Sequence, residues 1–91
     1  MAELSFVKEG SKYVCEIQVT SDFNLHIERK DKGVLYIQQK TTYEGTYDSI
    51  SGANFAPHDG VIDVDFVASI YPKYIKIVSE VEPTMAVFTF A

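Results

Sequence analysis

The sequence predicts an all-β fold, a single small antiparallel β-sandwich of seven to eight strands filling residues 1–91. Apolar residues recur with period two in run after run, and no stretch sustains a period of 3.6. The runs are filled by β-branched and aromatic residues, which suit a half-buried pleated surface better than a helix. Short clusters of Gly, Asp, Ser and Pro separate the runs at close intervals. A chain of 91 residues has room for one modest core, which buries roughly 60–70 % of the surface its unfolded form exposes.

The elements follow in order. Glu9-Gly10-Ser11 divides the first strand from "YVCEIQVT", which places Tyr13, Cys15, Ile17 and Val19 on one face. Ser21-Asp22 precedes "FNLHIER", with Phe23, Leu25 and Ile27 in phase, and Asp31-Lys32-Gly33 precedes "VLYIQQK". "VIDVDFVASI" sets Ile62, Val64, Phe66, Ala68 and Ile70 against Asp63, Asp65 and Ser69. Pro72 breaks that alternation and marks a turn or a strand that changes sheet. "YIKIVSEV" and "AVFTF" follow, with Glu82-Pro83-Thr84 closing a last hairpin. Ser49 to Gly60 is read as one long irregular loop, a kind of segment that is often functional. Jelly-roll and immunoglobulin-like sandwiches both accommodate this series.

Two hairpin registers can be written from the turn chemistry. Asp31-Lys32-Gly33 fits a three-residue loop with a left-handed glycine, pairing Lys30 with Val34, Glu28 with Tyr36 and Ile27 with Ile37. One face then carries Phe23, Leu25, Ile27, Leu35 and Ile37, and the other carries Asn24, His26, Glu28, Tyr36, Gln38 and Lys40. Tyr43-Glu44-Gly45 fits the same kind of loop, pairing Thr42 with Thr46, Thr41 with Tyr47 and Lys40 with Asp48. That register puts Tyr47 on the core face and leaves Tyr43 at an exposed tip beside the 51–58 loop.

Charge and composition narrow the function. The net charge is −5, from 13 acidic and 8 basic residues, and residues 44–91 account for all of it. Nucleic acid binding needs a basic stripe to neutralise phosphates, whereas the one basic cluster, "ERKDK", is interleaved with acids. Nucleic acid and anionic membrane surfaces are therefore not expected partners. No apolar run approaches the roughly 20 residues of a spanning helix. The start, "MAELSFVKEGSK", carries no basic flank before an apolar segment, so synthesis in the cytoplasm without a signal peptide is expected. The lone Cys15 excludes an intramolecular disulfide and reads as a small core residue.

Chemistry finds little purchase. His58, Asp59, Asp63 and Asp65 come nearest to a metal site, but two carboxylates on a strand face wrap no ion, and a solvated face paired with Lys73 or Lys76 is the expected state. There is no Gly-x-Ser-x-Gly elbow, phosphate-cradling loop or dinucleotide fingerprint, so neither enzyme activity nor a cofactor is expected. What remains is recognition by a surface. Tyrosine gives large contact area at low entropic cost, and the candidate contact residues are Tyr36, His26 and Gln38 on the polar strand face with Tyr43, Asn54 and Phe55 near the loops.

The passages "GVLYIQQKTTYEGTYDSISG" (33–52) and "YPKYIKIVSEVEPTMAVFTF" (71–90) resemble the β-strand segments of small bacteriophage or prophage structural proteins, among them decoration and fibre-associated β domains. The resemblance implies a non-catalytic virion component that works by protein–protein assembly, self-association included. The second passage is also similar to the late strands of carbohydrate-binding sandwich modules. That similarity implies a glycan ligand on the Tyr36 face or the 43–58 loops.

Overall fold

The computed structural model describes residues 2–56, 60–67 and 70–90, with residues 51–53 described by backbone only. They form nine strands: β1 (Ala2–Glu3), β2 (Val7–Glu9), β3 (Lys12–Val19), β4 (Phe23–Arg29), β5 (Leu35–Lys40), β6 (Asp48–Phe55), β7 (Val61–Phe66), β8 (Lys73–Ser79) and β9 (Pro83–Phe90). Sheet A has the order β1-β9-β4-β7 and sheet B the order β2-β3-β8-β5-β6, every pair antiparallel. No helix occurs among the described residues, so none is long and apolar enough to cross a membrane.

The pairings nest. β1 pairs with β9, β3 with β8, β4 with β7 and β5 with β6. The chain therefore runs as one long antiparallel ribbon folded across two sheets, which is the jelly-roll arrangement of two Greek keys. The tip of that ribbon is the connection between β5 and β6. β2 is an addition at the edge, joined to β3 by a two-residue turn. Gly10 opens that turn at φ +63°, while Ser11 stays at negative φ, the type II′ geometry that matches strand twist.

Two connections expected to be hairpin turns, and the Ser21-Asp22 break before them, are instead passages between sheets. β3 and β4, β4 and β5, and β8 and β9 each lie in opposite sheets, so Ser21-Asp22, Asp31-Lys32-Gly33 and Glu82-Pro83-Thr84 close no hairpin. The expected pairing of Glu28 with Tyr36 is replaced by Glu28 beside Val61 and Met85, and Ile27 lies beside Ile62 and Ala86 rather than Ile37. Gly33 is not left-handed. Its role is close approach, because a Cβ there would meet Val81 Cγ1 at 2.9 Å and Glu80 Cβ at 3.0 Å.

Arg29 explains why the β4–β5 passage takes this path. Its guanidinium is buried and donates to the carbonyl of Gly33 and, at 3.3 Å, to that of Ala56, while its amide donates to Gly60 O at 2.7 Å. One cation thus gathers the β4–β5 and β6–β7 connections, and hydrogen bonds to a charged donor are the stronger kind. At the other end, Tyr71 Oη donates to Asp22 Oδ1 at 2.9 Å, tying the β7–β8 connection to the β3–β4 one. Pro72 does mark a change of sheet, between β7 in sheet A and β8 in sheet B.

Alternation delivers the core. Phe23, Leu25, Ile27 and Ile62 from sheet A face Cys15, Val19, Leu35, Ile37, Ile75 and Ile77 from sheet B, all buried. The five residues expected on one core face are all inside, although they meet across the sandwich and not along one sheet. Burial raises the Cys15 thiol to about 11, so it stays protonated and apolar. Ser49–Phe55 is strand rather than loop, since Ile50 and Phe55 reach back to the core. His58 and Asp59 lie outside the described residues.

Candidate functional site

Splitting β4 from β5 divides the expected contact patch between two opposite surfaces. Tyr36 and Gln38 point out from sheet B, whereas His26 points out from sheet A beside Asn24 and Glu28. Tyr36 pairs across the sheet with Asn54, and Lys12 Nζ stands 5.4 Å from the centre of its ring. Its other neighbour is Val78, which with Val14 is largely covered although it faces outward. Phe55 pairs with Leu35 and packs on the core, so it leaves the contact surface. Tyr36, Gln38 and Asn54 stay together; His26 and Phe55 do not join them.

The ribbon tip builds the aromatic feature of sheet B. Gln39 pairs with Asp48 and Gln38 with Ser49, one residue away from the expected Lys40–Asp48 register. A shift of one residue exchanges faces, so Tyr47 moves from the expected core side to the outer side. The loop turns through Thr42–Gly45, where Gly45 N–H donates to Thr42 O at 3.1 Å and the glycine is not left-handed. Tyr43 is 76 % exposed at the tip. It does not stand beside a 51–58 loop, because that stretch begins as strand, and its ring meets Tyr74 edge-on at 5.8 Å.

Lys40 organises the rings. Its ammonium is 4.5 Å from the centre of Tyr47 and 5.6 Å from those of Tyr43 and Tyr74, and it donates to Tyr43 O at 2.7 Å. Lys76 Nζ lies 5.5 Å from Tyr47. An ammonium over an aromatic face is held by the ring quadrupole. Burial, followed by the nearby charge of Glu16, pushes the Tyr47 phenol up to about 12. The rings edge a shallow groove of about 340 Å³ whose other walls are Glu16, Ile17 and Gln18. Tyr43 and Tyr47 thus converge without stacking, each against the same lysine.

Sheet A presents a different surface. His26 Nε2 lies 2.8 Å from Glu28 Oε2 and Nδ1 3.0 Å from Asp63 Oδ2, so both nitrogens donate when the ring is protonated. The bonds to Glu28 and then Asp63 raise the His26 pKa above 6.5. Asn24 Nδ2 donates to Asp63 and, at 3.0 Å, to Asp65, and the bonds from Asn24 and then His26 hold Asp63 below its usual range. The cross-strand partners of these aspartates are therefore Asn24 and His26, not Lys73 or Lys76, which belong to sheet B. Among the described residues no group of three or more His, Cys, Asp or Glu is arranged to hold a metal ion.

One end of the sandwich is apolar. Phe23 and Phe66 stack at 4.9 Å, Phe88 and Phe90 meet edge-on at 5.2 Å, and a cleft of about 420 Å³ opens between Phe66, Val67 and Phe90. Val67 and Phe90 are exposed at this end, whereas the exposed Val61 and Met85 flank Glu28 at the other end of sheet A. Lys40 lies on the outward face as expected, Tyr47 was expected on the core side, and Tyr74 is new to the site. Tyr74 could have been found, since it is in phase with Lys76 and out of phase with Ile75 and Ile77. No family model, curated protein or solved structure matches this chain.

Proposed function

We propose that this chain is a non-catalytic structural and binding domain that acts by protein–protein assembly, as a component of a bacteriophage or prophage virion. The supporting observation is the placement of the exposed apolar side chains. Five of the seven large ones among the described residues, Val61, Val67, Ile70, Met85 and Phe90, lie on β7, on β9 or after β7. Single exposed apolar residues are ordinary, but Val67 and Phe90 edge an open cleft and Val61 with Met85 form a second exposed pair at the other end of sheet A, and paired groups of this kind mark surfaces built to be covered. Viral capsid domains and lectins are among the users of the jelly roll, so the fold is compatible with this reading without assigning it. Light scattering at micromolar concentration tests it. The expected result is a stable closed oligomer, weakened by Val67→Asp; a mass of 10.2 kDa at every concentration contradicts the proposal.

A second reading, a carbohydrate-binding module, is favoured by one feature, the convergence of Tyr43, Tyr47 and Tyr74 on a groove that also offers Gln18 and Glu16. Aromatic faces with polar groups at the rim suit a sugar ring. A monomer retained by a glycan array through this groove, and released by Tyr74→Ala in a folded domain, would put this reading first. Retention unchanged by that substitution would remove the groove.

A further inference from the structure

We propose that the assembly is head-to-tail: the outer face of sheet A in one copy seats on the outer face of sheet B in the next. This rests on the assembly reading above and specifies its geometry. The two faces carry opposite charge. On sheet A the outward side chains include Glu3, Glu28, Asp63 and Asp65, and no lysine or arginine faces outward from it among the described residues. On sheet B the outward side chains include Lys12, Lys40 and Lys76 against Glu9 and Glu16. Like faces laid together would oppose carboxylates with carboxylates, or lysines with lysines. Unlike faces bring the acids of one copy to the lysines of the next, the arrangement that complementary potentials favour.

Apolar and aromatic groups match in the same sense. Val61 and Met85 flank Glu28 on sheet A, 63 % and 49 % exposed, and Tyr36, Tyr47 and Tyr74 stand among the lysines of sheet B. The molecule's two longer extents, 34 and 27 Å, bound a face comparable with the roughly 800 Å² per partner of a standard interface. A contact between unlike faces is heterologous, so copies continue into a ring or a filament and do not stop at a two-fold dimer. Asp63 and His26 already satisfy one another within the acidic face, while Asp65 and Val61 stand exposed at its surface.

Mixing two variants tests the geometry. The acid-face variant carries Asp63→Lys with Asp65→Lys; a second version, Val61→Lys with Asp65→Lys, spares the His26–Asp63 contact should the first fold poorly. The lysine-face variant carries Lys40→Glu with Lys76→Glu. Circular dichroism checks that each is folded, and multi-angle light scattering reads the mass. Each variant alone is expected at the 10.2 kDa of the monomer, and an equimolar mixture at twice that mass or more. Either folded variant alone keeping the wild-type oligomer mass, or a mixture that stays monomeric, overturns head-to-tail docking and leaves the assembly reading standing. A wild-type chain that is itself monomeric overturns both.

Discussion

The outer faces of sheets A and B arise from the same alternation, yet they hold their charges in different ways. On sheet A, carboxylates of β7 are held by the amide of Asn24 and the imidazole of His26, both from β4. On sheet B, ammonium groups of β5 and β8 lie over tyrosine rings. Carboxylates accept and need donors placed at hydrogen-bond distance, whereas an ammonium can be steadied by a ring face while it stays open to solvent. Sheet A is therefore sensitive to pH where histidine titrates.

The largest effect is expected where the two sheets meet. Leu25→Ala from sheet A and Ile77→Ala from sheet B each remove a side chain with no solvent exposure, and each should lower stability by about 2–5 kcal/mol in urea unfolding. A far smaller loss from one of them would mean that its sheet does not close on the other. Arg29→Met should cost about 2–4 kcal/mol, since the carbonyls of Gly33 and Ala56 lose a charged donor. Arg29→Lys should rescue little of it, because an ammonium cannot reproduce the fork of the guanidinium.

Smaller effects separate the faces themselves. Tyr47→Phe should cost at most about 1.5 kcal/mol, as it removes only a hydroxyl at the groove beside Glu16. It should also delete the late phase, near pH 12, from a spectrophotometric tyrosine titration. On sheet A, proton NMR should place the His26 pKa above 6.5, with Glu28→Gln and Asp63→Asn each moving it down. A raised histidine pKa contributes stability that is fully present below 6.5 and is lost as pH rises through the folded value. The lowered pKa of Asp63 contributes above 3.8 and is lost as pH falls through its folded value. Stabilisation by the pair should thus be greatest between those two pH values, and it should be small because both groups are exposed. A His26 that titrates at 6.5 in wild type and variants alike would dissolve the network.

The strands were legible in the sequence because period-two alternation is a direct image of the pleat. Phe23, Leu25, Ile27, Leu35 and Ile37 are inside as the pattern requires. Partition of the strands between sheets was not legible, because an arch from one sheet to the other uses the same Asp, Ser, Gly and Pro as a hairpin turn. Asp31-Lys32-Gly33 illustrates this: what fixes its path is buried Arg29 and contact with Val81, both distant in kind from turn chemistry. The candidate site inherited that ambiguity. Tyr36, Gln38 and Asn54 share a face because they sit on paired strands, while His26 would join them only through a β4–β5 hairpin that does not form. Tyr47 changed face through a register one residue from the expected one, set by a bulge in the β5–β6 pair that no local residue announces.

In the proposed head-to-tail docking, one face of this sandwich is charged to receive the other face of a second copy. Light scattering of the wild-type protein across ionic strength tests it most directly, because interactions between exposed charges weaken as the Debye length falls from about 14 Å near 50 mM salt to about 4 Å near 0.5 M. Masses well above 10.2 kDa at low salt that decline toward 10.2 kDa at high salt are the predicted result. An oligomer whose mass holds or grows as salt is added, or a monomer at every ionic strength, would contradict it.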